Sequence, residues 1–166
     1  MPHGFFIGVR GFGGKVGKVL GGGALAATFP FNSTTGSDLV TDCASGTALL
    51  QFAQSALGIG DGDQLVEGGI VVTGPGGFGT GAELVIQTTN IAALTAANAA
   101  ATIGSASGAS AVGAKVQFAV DNGVSTGLYL FTSAGADAGI SAAEQTLLTT
   151  LQGAEATVLA DYLWMV

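Results

Sequence analysis

Glycine recurs along this chain, 29 of 166 residues, scattered rather than set in a collagen-like triplet. Scattered glycines favour short strands and turns and cut helices short. No apolar stretch reaches the roughly 18 to 20 residues that a membrane-spanning helix needs. The longest candidate, "NIAALTAANAAATIG", is alanine-dominated and broken by Asn98 and by threonines. A transmembrane reading is therefore rejected. No fixed-period repeat emerges, which leaves a solenoid unsupported.

The length suits one domain with a real core. Charged residues make up 9% of the chain, against about 25% in an average soluble domain. An apolar share of 48% excludes disorder. What remains is a globular unit whose surface is expected to be covered largely by copies of itself. The charge is also polarised. Of the four cations, Arg10, Lys15, Lys18 and Lys115, three lie in the first eighteen residues, against eleven acids in all. A basic end on an acidic body serves head-to-tail association. The net charge of −7 argues against general binding to nucleic acid, which needs Lys and Arg to neutralise phosphates.

The start, "MPHGFFIGVRGFGGKVGKVLGGGALAATFPF", imitates a secretory signal because cations precede "VLGGGALAA", but glycines dilute its apolar part. Residues 1–31 are read as a glycine-rich arm with candidate strands "GFFIGV" and "ALAATFPF", reaching a neighbouring subunit. Residues 32–166 form the globular body. "ASGTALLQFAQSALG" carries Leu49, Leu50, Phe52, Ala53 and Leu57 on one helical face, with Ser45 or Thr47 as cap and Gly58 as stop. "LVEGGIVVT" and "AELVIQT" read as strands, and "LTAANAAATIG" as a second short helix. "KVQFAVDNG" alternates like a half-buried strand. "LYLFT" is apolar on both faces and should be central. "ISAAEQTLLTTLQG" has Ser141 and Glu144 at capping-box spacing and a Leu147, Leu148, Leu151 stripe, which predicts a third helix. "ADYLWMV" is a closing strand, with Trp164 buried. The fold class is α+β: one β-rich, sandwich-like domain of mostly antiparallel sheet with about three short helices.

Catalysis finds little to stand on, and the chain is read as no enzyme. "GPGGFG" (74–79) follows an apolar strand, as a dinucleotide loop does, but leads into another strand, so it reads as a hairpin loop. "GGKVGK" lacks the spacing and the Ser or Thr of a phosphate loop. His3, the only histidine, has no acid or nucleophile nearby in sequence, and the lone Cys43 reads as buried packing. Calcium is more plausible, since hard cations take oxygens from carboxylates, amides and loop carbonyls. The candidate ligands are Asp61, Asp63 and Glu67 in "GIGDGDQLVEGG", Asp121 and Asn122 in "DNG", and Asp137 and Glu144 around the third predicted helix. Asx-turns and a helix cap account for the same residues without a metal.

The stretches "DNGVSTGLYLF", "GADAGISAAE" and the "ADYL" ending, with "FNSTTGSDLV" earlier, resemble the C-terminal modules of bacterial proteins exported by type I secretion, in the RTX calcium-binding group. The "GGxGxDxL" nonapeptides of that group are absent, and "GIGDGD" is at most a fragment of one. The resemblance implies the type I export machinery as a partner, an extracellular or cell-surface location rich in calcium, and an uncleaved export signal in Asp161, Tyr162, Leu163, Trp164, Met165 and Val166. It implies neither toxin nor protease activity. A small exported module with no attached enzyme acts through its own surface. The expected function is therefore a secreted structural protein that assembles with itself into a filament, matrix or surface layer. Phe5, Phe6, Ile7, Val9 and Arg10 are read as the self-associating residues. The alternative is a monomeric, calcium-stabilised adhesion or ligand-binding domain.

Overall fold

The computed structural model describes residues 19–21 and 27–166. The arm residues Phe5, Phe6, Ile7, Val9 and Arg10, and likewise His3, lie outside the described residues. In chain order the elements are β1 (Val19–Leu20), β2 (Thr28–Phe31), β3 (Asp38–Val40), β4 (Leu49–Ala53), α1 (Gln54–Leu57), β5 (Ile70–Val72) and β6 (Leu84–Gln87). They continue with α2 (Ala96–Ile103), β7 (Lys115–Asp121), β8 (Ser125–Thr132), β9 (Gln145–Gln152) and β10 (Tyr162–Met165). Two sheets form, a seven-stranded one in the order β1-β3-β9-β8-β7-β6-β5 and a three-stranded one in the order β10-β4-β2.

The large sheet is the middle layer. Leu84 and Ile86 of β6, Leu128 and Leu130 of β8, and Leu148 and Leu151 of β9 face the small sheet, where Phe31, Leu50, Phe52, Tyr162 and Trp164 complete one core. Val85, Phe118, Tyr129 and Phe131 point the other way and pack with Phe78, Ile91 and the Ala99, Ala100 and Ile103 face of α2. This alternation is why β8 is apolar on both faces, and it sits at the centre of the sheet as its sequence predicts. It also corrects the reading of β7 as half-buried: every residue from Val116 to Asp121 is buried, Gln117 included, because a second sheet covers the face that alternation alone would assign to solvent.

The domain is β-rich and broadly α+β, but the expected predominance of antiparallel pairing is not found. Only β7–β8 and β8–β9 are antiparallel. Every other described strand pairing is parallel. Parallel neighbours need crossovers. The "GPGGFG" segment accordingly carries the chain from β5 across to its parallel neighbour β6 rather than turning a hairpin. Its path brings Pro75 against Gly104, where a Cβ would lie 2.7 Å from the Pro75 ring and φ is +78°. Gly104 also ends α2, as predicted, and Thr95 caps the start by accepting from the Asn98 N–H at 3.2 Å.

Two predicted helices become mainly strand. Residues 49–53 form β4, with Leu50 and Phe52 fully buried, and only one helical turn follows before Gly58 stops it. Neither Ser45 nor Thr47 caps that turn, whose N-cap is Ala53. In the C-terminal segment the Ser141–Glu144 capping box is present, but it closes a single 3-10 turn (Ala142–Glu144) before β9. A register shift pairs Leu128 with Thr149 and Tyr129 with Leu147, leaving Leu148 as the extra residue of a bulge. The bulge lets Leu148 and Leu151, three apart, face the same core, and that spacing is the one that reads as helical.

Candidate metal centre

The loop after α1 is built by its glycines and by one buried amide. Gly60 and Gly62 take positive φ of 71° and 107°. Gln54, almost wholly buried, accepts the Gly62 N–H at 2.8 Å through Oε1 and donates through Nε2 to the Asp63 carbonyl. A Cβ at Gly60 would lie 2.7 Å from the Gln54 Oε1, so the bracing amide and the glycine require each other. The Asp63 Oδ1 then accepts the Leu65 N–H at 2.7 Å. The result turns Asp61, Asp63 and Glu67 toward one another: one carboxylate oxygen from each lies within 4.8 Å of the others, all exposed to solvent.

Three negative charges so placed repel. The Glu67 carboxyl is pushed above the usual range, first by sharing a proton-mediated hydrogen bond with Asp61 and then by the charges of Asp61 and Asp63. A hard cation would relieve the same repulsion, and these oxygens could hold one. The group is tied to the core behind it. Glu83 Oε2 accepts both the Glu67 N–H at 2.8 Å and the Trp164 Nε1–H at 2.7 Å, while the Glu83 N–H donates to the Glu67 carbonyl at 3.1 Å.

The other predicted ligands do not join this group. Asp121 Oδ1 accepts from Gly123 N–H at 2.9 Å, and Asn122 Oδ1 accepts from Val124 and Ser125, which is the turn chemistry of the β7–β8 hairpin. Asp137 Oδ1 accepts from Gly139 at 2.9 Å. Glu144 accepts from Ala134 N–H at 2.7 Å and from the Ser141 N–H and hydroxyl; the Ala134 bond first, then those from Ser141, hold its carboxyl below the usual range. Asp137 and Glu144 line one shallow open depression with Gly135, Ile140, Ser141 and Ala143, where Asp137 Oδ1 and both Glu144 oxygens serve as turn and cap acceptors.

Asp121 yields a prediction. It is 6% exposed, and burial raises its carboxyl above the usual range; the Gly123 N–H opposes this and the charge of Glu155 adds to it. A raised folded value means that the protonated form suits the fold. The site therefore favours folding below the ordinary carboxylate range and opposes it as pH rises through the raised value. Asp121→Asn, which keeps an acceptor for Gly123, is expected to be more stable than the parent at pH 7. The gain should vanish below about pH 4, where an unfolded Asp is itself protonated. Urea midpoints at the two pH values check it; an advantage that persists at low pH would assign the effect to packing.

The tail forms the other polar centre. Asp161, 1% exposed, accepts from the Ser45 hydroxyl at 2.8 Å, the Gly46 N–H at 2.6 Å and the Val158 N–H at 2.9 Å. Ser45, expected to cap a helix, instead ties its loop to the chain terminus. Tyr162 shares a 2.7 Å hydrogen bond with Thr157, and burial raises its hydroxyl far above its ordinary value. Trp164 is fully buried, as predicted, while Leu163 and Met165 are half-buried and Val166 is exposed. Beside this centre Cys43 is buried, and burial, with the charges of Asp161 and Asp42, raises its thiol to about 11, so it stays protonated at neutral pH.

Gln54, Glu83 and Ser45 are the residues that sequence reasoning missed. Each acts on a partner distant in the chain or through backbone groups, and no local pattern marks that. Compared with protein-family models, curated proteins and solved structures, the chain gives no match.

Proposed function

We propose that this chain is a secreted structural protein that assembles with itself into an extracellular filament, matrix or surface layer, acting by packing rather than catalysis. One observation carries the reading: among the described residues both sheets end in strands with a neighbour on one side only, and the apolar, basic N-terminal sequence leads directly into one of these, β1. Open edges present unpaired backbone groups to other chains. A segment joined at an edge is placed to add to a neighbour's sheet. The sparse charge, 9% of the residues, leaves much of the surface to apolar and small polar groups that another copy can cover. Export through a C-terminal signal, the type I route, fits the tail only if the tail is read before folding, since Asp161, Tyr162 and Trp164 are buried afterwards. Sedimentation velocity and negative-stain images across protein concentrations test the reading. Polymer is expected, and removal of residues 1–18 should give monomers with an unchanged circular dichroism spectrum. A parent protein that sediments as a monomer at every concentration overturns it.

The carboxylate group favours a second reading, a monomeric adhesion or ligand-binding domain stabilised by calcium at Asp61, Asp63 and Glu67. On that reading calcium at about a hundred times its Kd stabilises the fold by about 2.7 kcal/mol. The gain disappears in Asp61→Asn/Glu67→Gln. Because protons compete with the cation for the same carboxylate oxygens, affinity rises with pH through the carboxylate range. Calorimetric titration and thermal melts with and without chelator check this, and a melting temperature indifferent to calcium removes the reading.

A further inference from the structure

Two bonds of this chain join an acid or its amide to glycine, Asp61–Gly62 and Asn122–Gly123. Such bonds can rearrange. The glycine nitrogen gives up its proton and bonds to the side-chain Cγ of the residue before it, closing a five-membered imide. From Asn122 the Cγ–Nδ2 bond breaks and ammonia leaves with that proton; from Asp61, in its protonated form, water leaves instead. Water then opens the imide at either carbonyl carbon. The product is aspartate or isoaspartate, the second with a side-chain carbon inserted into the backbone. Glycine hinders the attack least, because no Cβ shields its nitrogen. The fold nevertheless requires glycine at both places, where φ is +107° at Gly62 and +80° at Gly123.

Solvent reaches both bonds, since Asp61 and Gly62 are exposed and Asn122 and Gly123 are half-buried. What guards them is the direction of the glycine N–H. In the imide the nitrogen is planar, so Cγ must take the place that the hydrogen held. At Gly62 that hydrogen points to Gln54 Oε1, 2.8 Å from the nitrogen, and at Gly123 to Asp121 Oδ1 at 2.9 Å. Both acceptors are fixed in the fold, Gln54 7% and Asp121 6% exposed, and the Gln54 Nε2 is tied in turn to the Asp63 carbonyl. The side chains that would be attacked are held as well. Asn122 Oδ1 accepts from the Val124 and Ser125 N–H groups at 3.1 and 2.9 Å, and Asp61 Oδ1 accepts from the Asp63 N–H at 3.4 Å. Attack needs the reacting atoms aligned, so the glycine hydrogen bond must break first.

We propose that Asp61 and Asn122 are latent sites of isoaspartate formation, held closed by Gln54 and Asp121, whose side-chain oxygens keep the Gly62 and Gly123 N–H groups turned away from Cγ. Gln54 and Asp121 are positioning residues in this, unrelated in sequence and alike only in what they hold. The role also gives Asp121, whose burial opposes folding at neutral pH, a function in the native state. Rearrangement in the folded parent is expected to be slower than in the unfolded chain by about tenfold or more at each bond, tenfold being the factor that about 1.4 kcal/mol in a barrier gives.

The test incubates the full chain at neutral pH, folded and in urea, and follows both bonds by peptide mapping with mass spectrometry and by enzymatic methylation of isoaspartate. Asp121→Ala should bring Asn122 to within a few-fold of its unfolded rate and leave Asp61 as slow as in the parent. Gln54→Met should do the reverse. Asp121→Asn, which keeps an acceptor for the Gly123 N–H, should leave Asn122 slow. A variant that merely loosened the whole fold would speed both bonds together, and that result overturns the proposal. So does an Asp121→Asn protein that rearranges as fast as Asp121→Ala. The parent alone decides it if a variant does not fold: equal folded and unfolded rates mean that nothing is held closed, and a faster folded rate at Asn122 would make Asp121 a base that promotes the attack rather than a guard against it.

Discussion

Trp164→Ala is expected to lose about 4 kcal/mol of folding stability. The indole is fully buried in the core between the sheets, edge-on to Phe52 with centroids 5.8 Å apart, and its Nε1–H donates to Glu83. Removing it leaves a large cavity lined by aromatic groups and takes from Glu83 one of the two donors that share its Oε2. Trp164→Phe separates the two contributions. It keeps most of the ring contact and loses the hydrogen bond to a charged group, a loss of about 1.5 to 3 kcal/mol. Chemical denaturation followed by far-ultraviolet circular dichroism measures both, since the variants lack the only tryptophan. Because typical domains hold only about 5 to 15 kcal/mol in reserve, the alanine variant should also unfold at markedly lower temperature. A loss under about 1 kcal/mol would mean that β10 is not docked as described.

Asp161→Ala should cost about 3 kcal/mol by a different mechanism. No large volume is removed. Two backbone N–H groups, of Gly46 and Val158, and the Ser45 hydroxyl lose the carboxylate that gathers them. Donors left unpaired in a part-buried place carry their full desolvation cost. Asp161→Asn should fall between, since its amide supplies one acceptor oxygen and turns an N–H₂ group toward the remaining donors. Ser45→Ala, which removes one of the three bonds, should cost about 1 kcal/mol. Denaturation midpoints order the series Ala, Asn, parent. Asp161 immediately precedes β10 and Trp164 lies within it, so the double variant should lose less than the sum of the two single losses.

Both effects concern the seven residues "ADYLWMV", and these were largely legible in the sequence. Their alternation marks a strand, and burial of the only tryptophan follows from placing that strand in a core. The Asp121–Asn122–Gly123 turn, the α2 helix with its Gly104 stop, the centrality of β8 and the Ser141–Glu144 capping box were also legible. The centrality of β8 follows from its two apolar faces, and the others depend on bonds between residues two to four apart. The "GIGDGDQLVEGG" cluster was half legible. Glycine spacing marks a turn dense in carboxylates, but the bracing by Gln54 and the link through Glu83 come from residues 8 to 16 positions away along the chain.

What the sequence determined by itself is therefore the set of short-range structures: glycine-limited elements, strand alternation, caps and turns, and a charge pattern that separates a basic start from an acidic body. The tertiary structure alone decided three things. Parallel pairing is invisible locally, because a strand alternates identically whichever way its neighbour runs. Residues 145–152 are a strand because a bulge places Leu148 and Leu151 on one face, a spacing that a helix would produce without the bulge. The second sheet buries the face of β7 that carries Gln117. In each case the deciding energy is burial and hydrogen bonding against a partner far away in sequence, and no window of neighbouring residues contains that partner.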